Sequence, residues 1–277
     1  MTTPQVLVTG GTGRTGSRIA RHLATRGVRT RIASRTGEVS FVWDDQSTWD
    51  AALRGCSAAY VCYSPDLAFP GVPELITEFA HRARQLDVHR LVLLSGRGED
   101  GARASEDAVR DNAPEWTIVR SSWFSQNFSE NFLLGPVLRG RLVVPAGDVT
   151  EPFVDLDDLA ELATTALVDD GHTGRVYELT GPRLLSFYDV AAELSDATGD
   201  SIRYVPSTAD EFVSDVALDG IPREDAQPLA ELFETVLDGR NSSLTDDLEY
   251  ALDRPATDFA DYARRAAATG VWQRPAA

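Results

Sequence analysis

The sequence predicts an α/β chain: a doubly wound parallel sheet with a smaller, mostly helical C-terminal lobe. Three observations predict it. A short apolar run, Val6-Leu7-Val8, passes through Gly10-Gly11-Thr12-Gly13-Arg14-Thr15-Gly16 into a helical pattern at Ile19, Ala20, Leu23 and Ala24. Strand-like and helix-like stretches then alternate at short intervals as far as Arg120, as parallel strands joined by crossover helices require. From Thr208 onward the pattern is almost wholly helical.

The expected strands are Gln5–Thr9, Thr30–Ser34, Ser40–Trp43, Ala58–Tyr63, Arg90–Ser95 and Thr117–Arg120, and the helices between them Thr15–Arg26, Thr48–Arg54, Val72–Leu86 and Ala102–Asn112. Leu91-Val92-Leu93-Leu94 is a continuous apolar run, the mark of a parallel strand covered on both faces. After Arg120 the rhythm changes: Ser121–Phe132 is rich in aromatics and amides, and Leu142–Pro145 is a short apolar segment. A helix is expected from about Asp155 to Val168, with Asp155, Asp157 and Asp158 in its first turn. Each acid there gains about 0.3–1 kcal/mol from the helix dipole. Arg175–Leu179 reads as a late strand, Ser186 as the cap of a helix through Thr198, and Ile202–Val205 as another short strand. No linker is visible. The expected division is a nucleotide-binding domain over 1–180, with 121–150 contributing to a substrate pocket, and a mostly helical lobe over 181–277.

Composition narrows the function. A chain of 277 residues can bury a full α/β core and a small second lobe. A net charge of −17 argues against nucleic acid, whose phosphates require a basic face. The acidic runs Asp155–Asp158, Asp169-Asp170 and Asp246–Glu249 read as solvated surface. No apolar stretch approaches the about 20 residues of a membrane span, and Met1–Gln5 shows no signal peptide, so a cytoplasmic location is expected. Cys56 and Cys62 read as small buried hydrophobes without a disulfide. His22, His81, His89 and His172 lie scattered, with no metal-ligand spacing. There is no Gly-x-Ser-x-Gly elbow. The chain contains no lysine, so all 26 Lys or Arg residues are arginine and Schiff-base chemistry is closed off.

Strand, glycines and helix in that order make the phosphate-binding half of a Rossmann unit. The spacing is Gly10-x-x-Gly13-x-x-Gly16, and a dinucleotide is expected there, its diphosphate against the helix N-terminus. About twenty residues on, the second strand ends Ile32-Ala33-Ser34-Arg35, where an NAD site carries an acid for the ribose hydroxyls. With no acid present, Arg35 and Arg14 are placed to hold a 2′-phosphate, which points to NADP(H); the alternative is that both are surface arginines. Ser64 and Ser95 end the fourth and fifth strands and are expected to line the cofactor groove, Ser95 near the nicotinamide; bonding to their own loop backbone is the alternative.

Gly10–Gly16, Ser34-Arg35 and Trp116–Phe128, with Pro152–Ala160 and Tyr177–Pro182, together resemble the NmrA-like branch of the atypical short-chain dehydrogenases/reductases. The likeness is to bacterial NAD(P)H-binding proteins of the quinone-reductase and ergot-alkaloid-biosynthesis-like kind. It implies cofactor contacts at Gly10, Thr12, Gly13, Arg14, Thr15, Gly16 and Arg35. It also implies a substrate-shaping segment with Trp123, Phe124 and Asn127. Phe128, Phe132 and Phe153 are placed to add aromatic surface for a flat substrate; plain core packing is the alternative. Two departures stand out. Where the family often carries an acid near the adenine, this chain has Val42, with Asp44 two residues late. The Tyr-x-x-x-Lys dyad of the wider superfamily cannot exist without lysine, so the catalytic residue is unassigned and Ser95 and Tyr63 are the candidates. The expected function is an NADPH-dependent oxidoreductase passing hydride to a flat, electron-poor small molecule such as a quinone, iminium or enone, in keeping with secondary metabolism. The alternative is a redox sensor that binds NADP(H) without turnover.

Overall fold

A strand covered on both faces is apolar along its whole length, and the centre of this sheet follows that rule. The structure, a computed structural model, describes residues 5–64 and 66–273. Met1–Pro4, where a signal peptide was not expected, and Pro65 of the Tyr63-Ser64-Pro65 turn lie outside those residues. The chain begins β1 (Gln5–Thr9), α1 (Arg14–Thr25), β2 (Arg29–Ser34), β3 (Val39–Ser40), α2 (Trp49–Leu53), β4 (Ala58–Val61), α3 (Val72–Gln85), β5 (Arg90–Gly96), α4 (Arg103–Asn112) and β6 (Glu115–Ser121). It continues α5 (Asn127–Glu130), α6 (Leu134–Leu138), β7 (Arg141–Val144), β8 (Thr150–Glu151), α7 (Leu156–Val168) and β9 (Arg175–Leu179). The remaining elements are β10 (Leu185–Ser186), α8 (Phe187–Thr198), β11 (Arg203–Pro206), α9 (Ala209–Val216), α10 (Arg223–Val236), α11 (Asp247–Leu252) and α12 (Phe259–Ala268).

Seven strands form one sheet in the order β3-β2-β1-β4-β5-β6-β9, and every neighbouring pair is parallel. The order reverses at β1, so the crevice at the carboxyl ends of β1 and β4 is the switch point where ligands sit in such sheets. Leu7, Leu91, Leu93 and Ile118 pack with Ile76, Phe79 and Val109 of the helices in one core. Among the described residues no helix is long and apolar enough to cross a membrane.

Two compact units emerge, and their bounds differ from the 1–180 and 181–277 division. The first runs to Ser121 and adds Leu156–Leu179 and Asp247–Asp253; the second takes Ser122–Asp155, Thr180–Asp246 and the chain from Arg254 on. The chain leaves the sheet after β6 and returns to it for α7 and β9, so the segment 122–155 belongs with the helices of the second unit. That unit holds α8, α9, α10 and α12 with two small two-stranded sheets, β10-β8 and β11-β7. The cap expected at Ser186 is a full capping box: its hydroxyl accepts from Asp189 N–H while the Asp189 carboxylate accepts from Ser186 N–H.

Three local expectations are corrected. The strand expected over Ser40–Trp43 stops at Ser40, because the Val42 carbonyl accepts from the Trp49 indole at 3.1 Å instead of a strand neighbour. β4 stops at Val61 and not Tyr63, because the Cys62 N–H turns to the Thr9 hydroxyl at 3.0 Å. The acidic run Asp155–Asp158 is solvated only in part: Asp155 and Asp158 are 1% and 2% exposed, while Asp157 is half-exposed. Asp155 also lies ahead of α7, accepting from Gln126 at 2.9 Å and paired with Arg265 at 2.5 Å. Asp157 of the first turn reaches Arg18 and Arg21 of α1, both within the first unit.

Candidate functional site

The turn between β1 and α1 is built from close backbone approaches. Gly10 sits at φ +60°, a conformation that costs glycine nothing. A Cβ on Gly16 would lie 2.5 Å from Gly10 O and 2.7 Å from Gly11 Cα, so the first turn of α1 rests on the loop backbone itself. Gly13 caps α1 and donates its N–H to Gly10 O at 2.8 Å. No side chain caps the helix and no acid stands in its first turn, which leaves the positive end of its dipole to an anion. Gly10, Thr12 and Gly13 are exposed, Arg14 is half-buried, and Thr15 and Gly16 are buried.

The end of β2 holds a second anion-suited cradle. The Ser34 hydroxyl is buried and has no hydrogen-bond partner among the described residues. Gly37 lets the turn pack directly on that hydroxyl, since a Cβ there would lie 2.6 Å from Ser34 Oγ. Arg35 is exposed and makes no ion pair among the described residues. An orphaned hydroxyl costs about 1–3 kcal/mol unless something bonds it, so the chain tolerates a loss here that a bound phosphate oxygen would remove. The sequence reading named Arg35 but passed over Ser34, its neighbour on the same strand end. The acid two residues late is also explained: Asp44 is exposed, while Asp45 caps a short 3₁₀ turn by accepting from Ser47 N–H at 3.1 Å.

At the carboxyl ends of β4 and β5 the expectations need correction. Ser64 is exposed. Ser95 is not a groove residue: it is 4% exposed, and its hydroxyl donates to Glu106 at 2.8 Å. Glu106, itself 1% exposed, also accepts from Arg120 at 2.8 and 2.6 Å, and Arg120 extends to Glu178 at 2.9 Å. Ser95 therefore completes an ion-pair network and is not a free proton donor. Tyr63 is no better placed as an acid, because partial burial and nearby Asp44 push its phenol above the ordinary value. The carboxyl group at this rim is Glu99, which the sequence reading missed. Its carboxyl occupies the space that a side chain on Gly96 would fill, the residue is half-buried, and the carboxyl makes no hydrogen bond among the described residues. Burial, with Asp66 adding repulsion, pushes its carboxyl up to about 7.

The network predicts acid behaviour. Burial pushes Glu106 up, but the hydrogen bonds from Arg120 and Ser95 outweigh it and hold the carboxyl below its ordinary value; Arg120 and Arg97 do the same for Glu178. Folded values below the unfolded one give stability that is present above the ordinary value of 4.5 and lost as pH falls through the folded values. Thermal midpoints should therefore drop as pH falls below about 4.5; a flat profile there would contradict the network.

The aromatic residues expected to meet substrate separate into two groups, all in the second unit. Phe153 is 3% exposed and packs among Phe128, Phe187 and Phe259 at ring distances of 5.6, 5.6 and 5.7 Å. Phe132 lies against Phe212 and Phe233. Phe153, Phe128 and Phe132 are thus core: for Phe128 and Phe132 this is the alternative reading, and for Phe153 a correction whose reason is burial of aromatic faces against one another. Trp123 and Phe124 remain half-buried, although one face of Trp123 stacks on Phe233 at 4.7 Å with the rings 4° from parallel. Asn127 is buried at the start of α5. Among the described residues no group of three or more His, Cys, Asp and Glu side chains could hold a metal ion.

The chain matches no family model. It is 32% identical over 281 residues to the uncharacterized oxidoreductase YesF of Bacillus subtilis, covering 96% of this chain and 97% of that one. It is 28% identical to the NAD(P)H azoreductase of Xenophilus azovorans, over 95% and 98% of the two chains. Its fold is similar to that of the Escherichia coli NADPH-dependent quinone oxidoreductase QOR2 complexed with NADPH, with a TM-score of 0.80 at 20% identity, covering 94% of this chain and 99% of that one. The seven-stranded parallel sheet, the glycine turn at its switch point and a relative matched along nearly the whole chain lead to one conclusion: the chain belongs to the NmrA-like atypical short-chain dehydrogenase/reductase family of NAD(P)H-dependent oxidoreductases.

Proposed function

We propose that this protein reduces a small, electron-poor acceptor with hydride from NADPH. The observation that carries the choice of NADPH is the β2 end, where the Ser34 hydroxyl, without a partner among the described residues, stands next to the exposed Arg35 with no acid at the strand end. Gly10, Thr12, Gly13, Arg14, Thr15 and Gly16 would hold the diphosphate, and Ser34 and Arg35 the 2′-phosphate. When bound, the reduced nicotinamide supplies hydride. Charge-assisted bonds from a guanidinium to a dianion are the stronger kind, about 1.5–3 kcal/mol each.

The acceptor class follows from what the chain lacks. With no lysine there is no dyad to tune a tyrosine, which disfavours simple ketones and favours quinones, iminium ions and conjugated enones, whose reduction depends on positioning against the cofactor. Trp123 and Phe124 keep aromatic surface outside the core of the second unit, which supports a flat acceptor.

The test is anaerobic mixing with NADPH and a panel of quinones, iminium ions and enones, following the absorbance of the reduced nicotinamide. Oxidation by at least one acceptor is expected; tight binding with no turnover across the panel would support a sensor instead. For cofactor choice, Arg35→Asp should weaken NADPH by about 10- to 100-fold and leave NADH within about twofold. Equal losses for both would show that Arg35 does not read the 2′-phosphate.

A further inference from the structure

The carboxyl ends of β4 and β5 form the rim where ligands sit in an open parallel sheet, and the groups able to give up a proton there are few. Ser95 is committed to Glu106, and the Tyr63 phenol is pushed away from neutrality. Asp66 is occupied locally, accepting from Ala68 N–H at 2.7 Å. Glu99 differs from all three. It follows β5 by three residues, and its carboxyl folds back into the volume left by the missing side chain of Gly96. The residue is half-buried, and its carboxyl accepts no hydrogen bond among the described residues. Arg97, the nearest cation in sequence, has its Nε turned to Glu178 at 3.3 Å. The charged group facing Glu99 from the loop after β4 is Asp66, of the same sign.

We propose that Glu99 is the catalytic acid, its carboxyl O–H delivering the proton that an acceptor needs once hydride has arrived. The inference rests on the reading of the protein as an NADPH-dependent reductase. For a conjugated enone the balance is complete. Hydride from the reduced nicotinamide forms a C–H bond at the β-carbon, and the alkene π pair moves to the α-carbon through the enolate. The Glu99 O–H bond then breaks, its proton forms the α-C–H bond, and its electron pair stays on the carboxylate. Solvent restores the proton, and NADP⁺ is the oxidised product. The carboxyl resting near 7 is what such a step calls for, since an acid works best when its own value lies close to the working pH. A glutamate thereby takes the place of the tyrosine that this chain cannot tune.

The experiment compares wild type with Glu99→Gln, using NADPH and two acceptors: an enone, which needs a proton, and a cationic triarylmethane dye, which is neutralised by hydride alone. Glu99→Gln should slow enone reduction by about 100-fold or more and leave dye reduction within about twofold. The enone rate of wild type should fall as pH rises through about 7, and the variant should lose that limb. Infrared difference spectra of the protein without acceptor give a readout independent of turnover: a carboxylic-acid band that titrates near 7 in wild type and is missing from Glu99→Gln. Equal losses with both acceptors, or a Glu99 band that titrates in the ordinary carboxylate range, would overturn the proposal. If wild type binds NADPH but reduces neither acceptor, the reductase reading fails, while the infrared titration still decides whether Glu99 carries a proton at neutral pH.

Discussion

Replacing Arg120 with methionine should lower unfolding stability by about 3–5 kcal/mol, because it strands a buried carboxylate. Glu106 is 1% exposed and takes two hydrogen bonds from the Arg120 guanidinium, while the third nitrogen reaches Glu178. Ser95 and Arg110 also bond Glu106, at 2.8 and 3.2 Å, but neither replaces a bidentate cation. The cost therefore comes from the partner left behind and not from the arginine's own contacts. A second variant isolates that point: Arg120→Met with Glu106→Leu removes both charges and should recover most of the loss. Urea denaturation at neutral pH measures both. The single variant should also lose less stability in acid, where Glu106 is protonated and asks for no cation. Equal destabilisation by the single and double variants would mean that packing, not charge, holds β5, α4, β6 and β9 together here.

Gly16→Ala should abolish measurable NADPH binding while leaving a folded protein. The added methyl would meet backbone atoms, Gly10 O at 2.5 Å and Gly11 Cα at 2.7 Å, so no side-chain rotation relieves it. Either α1 or the loop must shift, at about 1–3 kcal/mol of stability. The loss for the cofactor is greater, because each N–H aimed at a diphosphate contributes about 1.5–3 kcal/mol and the shift would misalign several at once. Gly13→Ala is the comparison, since its Cβ would lie 3.1 Å from Gly10 O and needs only a small adjustment. Thermal melts with and without NADPH should show the ligand-induced rise kept in Gly13→Ala and lost in Gly16→Ala. The same rise in both variants would mean that the turn does not depend on that close approach.

The candidate site was legible where its chemistry is contiguous. Gly10–Gly16 reads directly because strand, turn and helix start follow one another, and the structure places the uncapped N-terminus of α1 at the switch point between β1 and β4. Arg35 was legible for the same reason, standing at a strand end with no acid beside it. Ser95 was misread because its strand position was visible and its partner was not: Glu106 is 11 residues on, and Arg120 reaches the same carboxylate from 14 residues further. Phe153 was misread because an aromatic near a pocket segment and an aromatic in a core look alike until Phe128, Phe187 and Phe259 close around it. Glu99 carried no signal at all, since nothing in Gly96-Arg97-Gly98-Glu99 says that the chain will fold the carboxyl back over the glycine.

By itself the sequence determined the parallel α/β architecture, the glycine turn and the arginine at the end of the second strand, because each depends on residues within about one element of one another. Tertiary structure alone decided which hydroxyls and carboxylates are consumed by the core and which are left at the rim. Burial and pairing are properties of the assembled sheet: a buried charge keeps its proton or its partner according to what the neighbouring strand and helix bring to it.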